Sequence, residues 1–436
     1  MRWFALPWLL ILACAAPRVT IYHAPSGTLG ELRSGVDPKS LLALVRNGEF
    51  GRAEQVLALR PLDSALEVRV AQGLLSCRSR RNDLAESLLR PVFTSQADTG
   101  LRRLAYFGLS SVLAQAERFQ ALESLERQAL AEQLSKDTTA LLTARVLSRL
   151  PPTVIIARAP STELKMKRGL SGCPLAKVSV NGSRLTDFWF DTGASFCVIS
   201  EPLARRVGVQ LLTQELGYAG TATDRKVPFR LGLIDTLLLG DYVIANLPVM
   251  VMRPKDLNLG IPGFRIDGVI GWSLLSKFRM TIDYADRWLR FECPVPQGQP
   301  VHRNLFSLGG VPLVETAVNG SGPLHFILDT GAGASLVQES GLAKLAQEPA
   351  LAVSLGCVGG AGGGDVRGQR LLRNAALTLD RYTVAPLNLM VHKLPVEDFP
   401  VAVDGLLGED LLGNFTVTID APNGRVALVR PISTRP

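Results

Sequence analysis

Two kinds of hydrophobic pattern divide the chain. From residue 37 to residue 150, leucine, valine and alanine recur at intervals of three and four, the spacing that lines one face of an α-helix. Pro151 and Pro152 end this part, because a proline pair cannot continue a helix. After Pro160 come short apolar or alternating runs broken by glycine and asparagine, which are typical of β-strands. The sequence therefore predicts an all-α region over residues 37–150, followed by an all-β region.

The helical region contains three similar segments, centred on Ala53, Ala85 and Ala121. These alanines are 32 and 36 residues apart, which brackets the period of roughly 34 residues in tetratricopeptide repeats. The region resembles such repeats without their full signature, and a plain helical bundle is the alternative. The resemblance implies a possible protein partner that binds through the helices.

The N-terminus has the pattern of an export signal. Arg2 precedes an apolar stretch that is shorter than the ~20 residues of a membrane-spanning helix. Cys14 and the residues before it resemble the lipobox of bacterial lipoproteins, which implies lipidation at Cys14; an ordinary signal peptide is the alternative. We interpret residues 1–14 as this signal and residues 15–36 as a linker. We expect an exported protein in the bacterial cell envelope, held at the membrane by a lipid anchor.

Composition narrows the classes of function. The chain has 436 residues, of which 47% are hydrophobic and 20% charged, as in ordinary folded proteins. The net charge of +8 is spread along the chain without a dense basic tract, so we expect no nucleic-acid partner. The histidines are scattered and the cysteines form no CxxC pair, so we expect no metal site.

The β-rich part is an internal duplication. The segment from Pro174, PLAKVSVNGSRLTDFWFDTGAS, matches PLVETAVNGSGPLHFILDTGAG from Pro312, with an offset of 138 residues and no gap. Further on, DGVIGW and DGLLGE match at an offset of 137 residues. Hydrophobic patterning alone does not keep two long segments aligned residue by residue at a constant offset. We therefore divide this part into a first repeat, residues 161–300, and a second repeat, residues 301–436.

Each repeat carries Asp-Thr-Gly-Ala after an apolar strand, and an Asp-Gly-apolar-apolar-Gly turn about 75 residues later. The glycine allows close approach of the backbone, the threonine hydroxyl can bond to a partner loop, and the later turn can brace the aspartate from behind. The candidate catalytic residues are Asp191 and Asp329. The candidate supporting residues of the two loops are Thr192, Gly193, Ala194, Thr330, Gly331 and Ala332.

These motifs resemble those of the pepsin-like and retroviral-like aspartic proteases, above all the retropepsin half-molecule. The resemblance covers about residues 161–431 and implies an acid-protease fold made of two retropepsin-like lobes in one chain. It also implies that Asp191 and Asp329 face each other, share one proton and activate a water molecule that hydrolyses a peptide bond. The implied partner is a polypeptide substrate, and no cofactor is needed.

Two glycine-containing segments resemble the flaps of these proteases. They lie between each Asp-Thr-Gly motif and its later turn, and a flexible surface loop is the alternative for the glycine cluster. The predicted flap and substrate-binding residues are Tyr218, Gly220, Thr221, Gly359, Gly360 and Ala361. Trp272 and Glu409 depart from the family pattern, because retropepsins usually place Arg, Asn or Asp there.

The resemblance implies two further properties. The terminal strands of each half lie side by side in the related proteases, so Cys173 and Cys293 are expected to form a disulfide. Ala194 and Ala332 stand where pepsin has a hydroxyl residue that stabilises the ionised pair, so we expect an activity optimum between about pH 5 and 7.

Two other functions remain open from the sequence. One is a non-catalytic peptide-binding lipoprotein of the envelope, and the other is an interaction scaffold built on the helical repeats. Both Asp-Thr-Gly motifs are intact, which favours an active aspartic endopeptidase over either.

Overall fold

The structure is a computed structural model, and it describes residues 10–11, 19–23, 38–59, 65–169, 171–220, 226–257, 265–293, 303–346, 351–360, 363–396 and 398–431. The predicted lipidation site Cys14 and the predicted flap residues Thr221 and Ala361 lie outside these ranges.

Two short strands precede the helices: β1 (Leu10–Ile11) and β2 (Thr20–His23). The first falls within the predicted signal and pairs with residues 358 and 359. The second falls within the predicted linker, where Ile21 packs against the β core and the His23 ring lies 5.1 Å from that of Tyr382. Thr-Ile-Tyr is a strongly β-forming sequence, which explains the strand.

The helical region follows, with short connections between its helices. Asp98 and Asp137 cap two of them by accepting hydrogen bonds from backbone N–H groups of the first turn. No helix among the described residues is both long and apolar enough to span a membrane. The helices are α1 (Pro38–Asn47), α2 (Phe50–Leu59), α3 (Leu66–Arg78), α4 (Asn82–Phe93), α5 (Thr99–Gln115), α6 (Phe119–Ala131) and α7 (Thr138–Leu147).

The similar segments of the sequence fall on alternate helices, because Ala53, Ala85 and Ala121 lie in α2, α4 and α6. The tetratricopeptide-like arrangement of the helices stays a prediction.

The first repeat is β-rich and begins slightly before residue 161, since β3 already pairs with β11. Its elements are β3 (Val154–Ala157), β4 (Ser161–Arg168), β5 (Pro174–Val180), β6 (Thr186–Phe190), β7 (Val198–Ser200), α8 (Glu201–Arg206), β8 (Gln210–Leu211), β9 (Gly217–Gly220), β10 (Lys226–Leu239), β11 (Tyr242–Met252), β12 (Gly268–Ile270), α9 (Trp272–Leu275), β13 (Arg279–Asp283) and β14 (Trp288–Glu292), with a 3-10 turn at Pro254–Asp256.

The second repeat has a similar order of elements. They are β15 (Leu305–Leu308), β16 (Val311–Val318), β17 (Ser321–Leu328), β18 (Leu336–Val337), α10 (Glu339–Leu342), β19 (Leu351–Gly360), β20 (Gly363–Leu379), β21 (Tyr382–Val391), β22 (Gly405–Leu407), α11 (Glu409–Leu412), β23 (Thr416–Asp420) and β24 (Arg425–Val429).

Equivalent strands pair in equivalent ways. The strand before each aspartate, β6 or β17, runs parallel to the strand before the later glycine turn, β12 or β22. On their other side, β12 pairs antiparallel with β7 and β22 pairs antiparallel with β18. The two repeats meet in one sheet, where β13 pairs with β23 and the Thr281 and Thr418 hydroxyls are 3.2 Å apart.

Alternate residues of these strands point into different cores, as the strand period requires. Phe190 and Leu328 lie in a β core that both repeats share. Trp189 lies in a second core within the first repeat. Ile327, its equivalent, lies instead in a core that the second repeat shares with the helices.

The predicted disulfide between Cys173 and Cys293 is wrong, because both cysteines are free thiols. The strand β14 pairs with β4 so that Glu292 faces Ser161, which puts Cys293 at the start of β4. Cys173 lies beyond the other end of β4. The eight residues of β4 at ~3.3 Å each keep the two sulfur atoms far apart.

Candidate active site

The two aspartates follow directly from the paired strands. Asp191 comes after β6, and its backbone N–H donates to Ile270 O at 3.0 Å; Asp329 comes after β17 and donates to Leu407 O at the same distance. The strand before each glycine turn thus fixes the backbone of the aspartate in the same repeat.

The threonines of the two motifs connect the repeats by reciprocal hydrogen bonds. The Thr192 backbone N–H donates to the Thr330 hydroxyl at 3.0 Å, and the Thr330 N–H donates to the Thr192 hydroxyl at 3.0 Å. Each hydroxyl in turn donates across to the other repeat, Thr192 to Leu328 O and Thr330 to Phe190 O. The two threonine N–H groups and the two threonine hydroxyls are all buried, and each of these donors has a hydrogen-bond acceptor.

Each carboxyl group is held by its own loop and packed against the loop of the other repeat. Asp191 Oδ1 accepts from the Gly193 and Ala194 N–H groups, and Asp329 Oδ1 accepts from the equivalent pair. A β-carbon at Gly193 would overlap the Asp329 carboxyl group, and one at Gly331 would overlap that of Asp191. Only glycine allows this approach, so the motifs bring the two carboxyl groups together.

Burial sets the protonation of this pair. Asp191 is 0% exposed and Asp329 is 2% exposed. Burial raises the pKa of Asp191 from 3.8 to about 6, against the hydrogen bonds from Asp329 and the loop N–H groups, which lower it. Burial, followed by the charge of Asp191, raises the pKa of Asp329 well above its ordinary value. Two carboxylates in one buried site cannot both ionise readily, so the pair holds a shared proton to higher pH than an isolated carboxyl group would.

The glycine turns brace the motif loops. The Trp272 N–H donates to Ala194 O at 2.6 Å, and the Glu409 N–H donates to Ala332 O at 2.8 Å. The side chains at these two positions reach the opposite repeat. Glu409 forms an ion pair with Arg168, and Trp272 Nε1 donates to the Ser307 hydroxyl at 2.9 Å.

These two side-chain contacts are the roles that the structure gives to Trp272 and Glu409. The Glu409–Arg168 contact between the repeats is ionic, and the Trp272–Ser307 contact is a neutral hydrogen bond. A further contact, from the Ser171 hydroxyl to Gly331 O at 2.9 Å, is buried beside Asp329. Arg168, Ser171 and Ser307 were not among the predicted site residues, and the unusual residues at 272 and 409 marked only one end of the contacts with Arg168 and Ser307.

The predicted flap segments form the described ends of two hairpins. Tyr218 and Gly220 lie in β9, which pairs with β10, and Gly359 and Gly360 pair with the start of β20. Tyr218 is half exposed. Its described hydrogen bond joins it to the helical region rather than to the aspartates, because its backbone N–H donates to the Thr139 hydroxyl at 3.2 Å.

The chemistry available at this site is proton transfer. Across the described ranges, no group of three or more His, Cys, Asp or Glu residues is arranged to hold a metal ion. A buried carboxyl pair with one proton can remove a proton from water and also donate a hydrogen bond to a carbonyl oxygen.

Comparison with known proteins gives two findings. Residues 176–274 match the family model described as "Aspartyl protease". Among solved structures, a retropepsin-like aspartic protease from Rickettsia conorii matches with 22% identity, over 32% of this chain and 92% of that chain, at a TM-score of 0.22. No curated protein matches the chain.

Proposed function

We propose, from the match of residues 176–274 to the aspartyl protease family, that this protein is an aspartic endopeptidase in which Asp191 and Asp329 together hydrolyse peptide bonds. The observation that supports the proposal most is the reciprocal Thr192–Thr330 hydrogen bonding, which joins the two loops that carry these aspartates. The substrate is a polypeptide.

The mechanism uses the single proton of the pair. The ionised carboxylate takes a proton from a bound water molecule while the oxygen of that water attacks the scissile carbonyl carbon. The protonated carboxyl group donates a hydrogen bond to the carbonyl oxygen as negative charge develops there. Collapse of the tetrahedral intermediate breaks the C–N bond, and the leaving nitrogen takes a proton from the pair.

The pairing of the repeats supports an acid-protease fold of two retropepsin-like lobes. Each lobe would supply one aspartate, and β13 and β23 would join the lobes in a shared sheet. The two described hairpin ends would serve as flaps over the peptide, opening and closing at their glycines.

The location of the protein is a separate part of the proposal. The pattern of residues 1–14 supports export to the bacterial envelope and lipidation of Cys14. Incorporation of labelled palmitate into the expressed protein, and its loss in Cys14→Ser, would test this part. A labelled Cys14→Ser protein would contradict it.

Casein cleavage by the full chain, with and without a pepstatin-type inhibitor, tests the catalytic proposal. We expect cleavage that the inhibitor abolishes. Inhibitor binding without cleavage would favour a non-catalytic peptide-binding protein. Neither binding nor cleavage would favour an interaction scaffold.

A further inference from the structure

The second repeat has an apolar face that leads along its strands to Asp329. In β17, His325 and Ile327 alternate with residues of the β core, and Asp329 continues the same series of every second residue. His325 therefore lies about 13 Å from Asp329 along the strand. Leu406, which pairs with Ile327 from β22, belongs to the same face.

Helices of the same chain cover this face. Ile327 and Leu406 are at most 2% exposed, in a single core that also contains Phe50 and Phe107 of the helical region. The Phe50 ring lies 4.8 Å from the His325 ring, nearly edge-on. Ala332, from the Asp329 loop, is buried in this same core.

Polar contacts surround the covered face. The Ala402 N–H donates to Arg46 O at 2.6 Å, and the Gly309 N–H donates to the Ser111 hydroxyl at 3.0 Å. Arg78 of α3 forms an ion pair with Glu315 on β16. The helical region is thus positioned on the second repeat by specific contacts as well as by apolar burial.

The contact with the first repeat is less complete. A cavity of about 350 Å³ separates α5 and α6 from Ser195 and Trp272. The connections on this side include the Thr139–Tyr218 hydrogen bond to the first hairpin, a partly buried Lys277–Glu117 ion pair, and, further out, an Arg145–Glu215 ion pair at 2.7 Å. Both partners of the latter ion pair are more than a third exposed, and such pairs contribute little. This cavity is open to solvent, so the helices and the first repeat are not closely packed along it.

We propose that the helical region is a built-in cover that restricts access of peptides to the aspartate pair, and that the chain cleaves fastest when this cover moves off the second repeat. This inference rests on the proposed protease function. A peptide side chain beside Asp329 would occupy the apolar face of Ile327 and Leu406, which now lies in one core with Phe50 and Phe107. Cleavage is then limited by the population of molecules in which the helices have moved.

The substitution Phe107→Ala in the full chain tests this proposal. The Phe107 ring lies 5.3 Å from that of Phe399 in the second repeat, so the substitution weakens the contact of the cover. The matched control is Phe93→Ala, which removes an equally buried ring that packs on Tyr106 within the helical region. We measure kcat/KM for a peptide substrate, together with hydrogen exchange at residues 324–328 and 403–407.

We expect Phe107→Ala to raise kcat/KM by about tenfold and to speed exchange in both segments, with a much smaller effect in Phe93→Ala. Faster exchange with unchanged or reduced cleavage would overturn the cover and leave the protease proposal standing. An equal gain in both variants would also overturn the cover, because general loosening would then explain it. Absence of cleavage in wild type and in both variants would overturn the protease proposal, and the cover with it.

Discussion

The hydroxyl groups of Thr281 and Thr418 face each other at 3.2 Å across the junction of β13 and β23. These residues occupy matching positions of the two repeats, at the offset of 137 seen in the sequence. Thr192 and Thr330 likewise match and bond to each other. Contact between equivalent residues is the property of a two-fold interface, so the duplicated halves associate like the subunits of a symmetric dimer.

Removal of one hydroxyl from the threonine pair should destabilise the protein. In Thr330→Val, the Thr192 N–H loses its buried partner and Phe190 O keeps only the weak Cys173 thiol at 3.8 Å, which costs on the order of 1–3 kcal/mol per unsatisfied group. We expect this loss in the free energy of unfolding measured with urea, accompanied by reduced cleavage. Thr330→Ser keeps the hydroxyl and should lose much less. Equal losses in both variants would contradict this explanation, because Thr330→Ser removes only the methyl group and keeps the hydroxyl that makes both hydrogen bonds.

The aspartate site could be predicted because its information is local and occurs twice. Asp191 and Asp329 stand in matching motifs, and the strand-turn pattern around each one indicates how the loop is braced. The contacts of Arg168 and Ser307 could not be predicted, because their partners Glu409 and Trp272 lie far away in the sequence.

The stability of the protein should respond to pH through the buried aspartates. Because the pKa of Asp191 is raised from 3.8 to about 6, the folded state binds more protons than the unfolded state between these values. The free energy of unfolding therefore falls as pH rises through this range. Asp191→Asn removes this penalty, so we expect the variant to be more stable than wild type at pH 7.

Thermal unfolding at pH 4 and pH 7 provides the measurement. The melting temperatures of the two proteins should converge at pH 4, where the carboxyl group is largely protonated in the folded state. A stabilisation by Asn that is larger at pH 4 than at pH 7 would contradict the assignment of a raised pKa.

The activity profile should respond to the residue after each Asp-Thr-Gly. The side chains of Ala194 and Ala332 cannot donate a hydrogen bond to the ionised pair, and both residues are buried beside it. We expect Ala194→Ser combined with Ala332→Ser to lower the pKa of the pair and shift the acid limb of the kcat/KM profile to lower pH. An unmoved acid limb, or a wild-type optimum below about pH 3, would count against this explanation.

The Arg168–Glu409 pair should make a small contribution to the association of the repeats. Arg168 is 38% exposed, so solvent screening limits the coupling energy to about 1 kcal/mol or less. A double-mutant cycle of Arg168→Gln and Glu409→Gln, followed by urea unfolding at low and high salt, measures it. A coupling that does not weaken in high salt would contradict an ionic interaction between these two side chains, because the packing of Arg168 on the Tyr284 ring at 5.6 Å cancels from the cycle.

The position of the helices was the least predictable feature. The helical periodicity indicates that Phe50 and Phe107 are buried, but not what buries them. Their partners Phe306 and Phe399 follow about 250 to 300 residues later. Ile327 likewise alternates like any half-buried strand residue, and whether its face meets water, peptide or helix depends on contacts that no local pattern encodes.

The most direct test of the central claim is cleavage of one peptide substrate by Asp191→Asn and by Asp329→Asn, each compared with wild type. If the two carboxyl groups share one proton and one water molecule, each variant should lose at least ~1,000-fold in kcat/KM while keeping a cooperative thermal transition. Substantial cleavage by either folded variant would contradict the shared site, because one aspartate would then suffice.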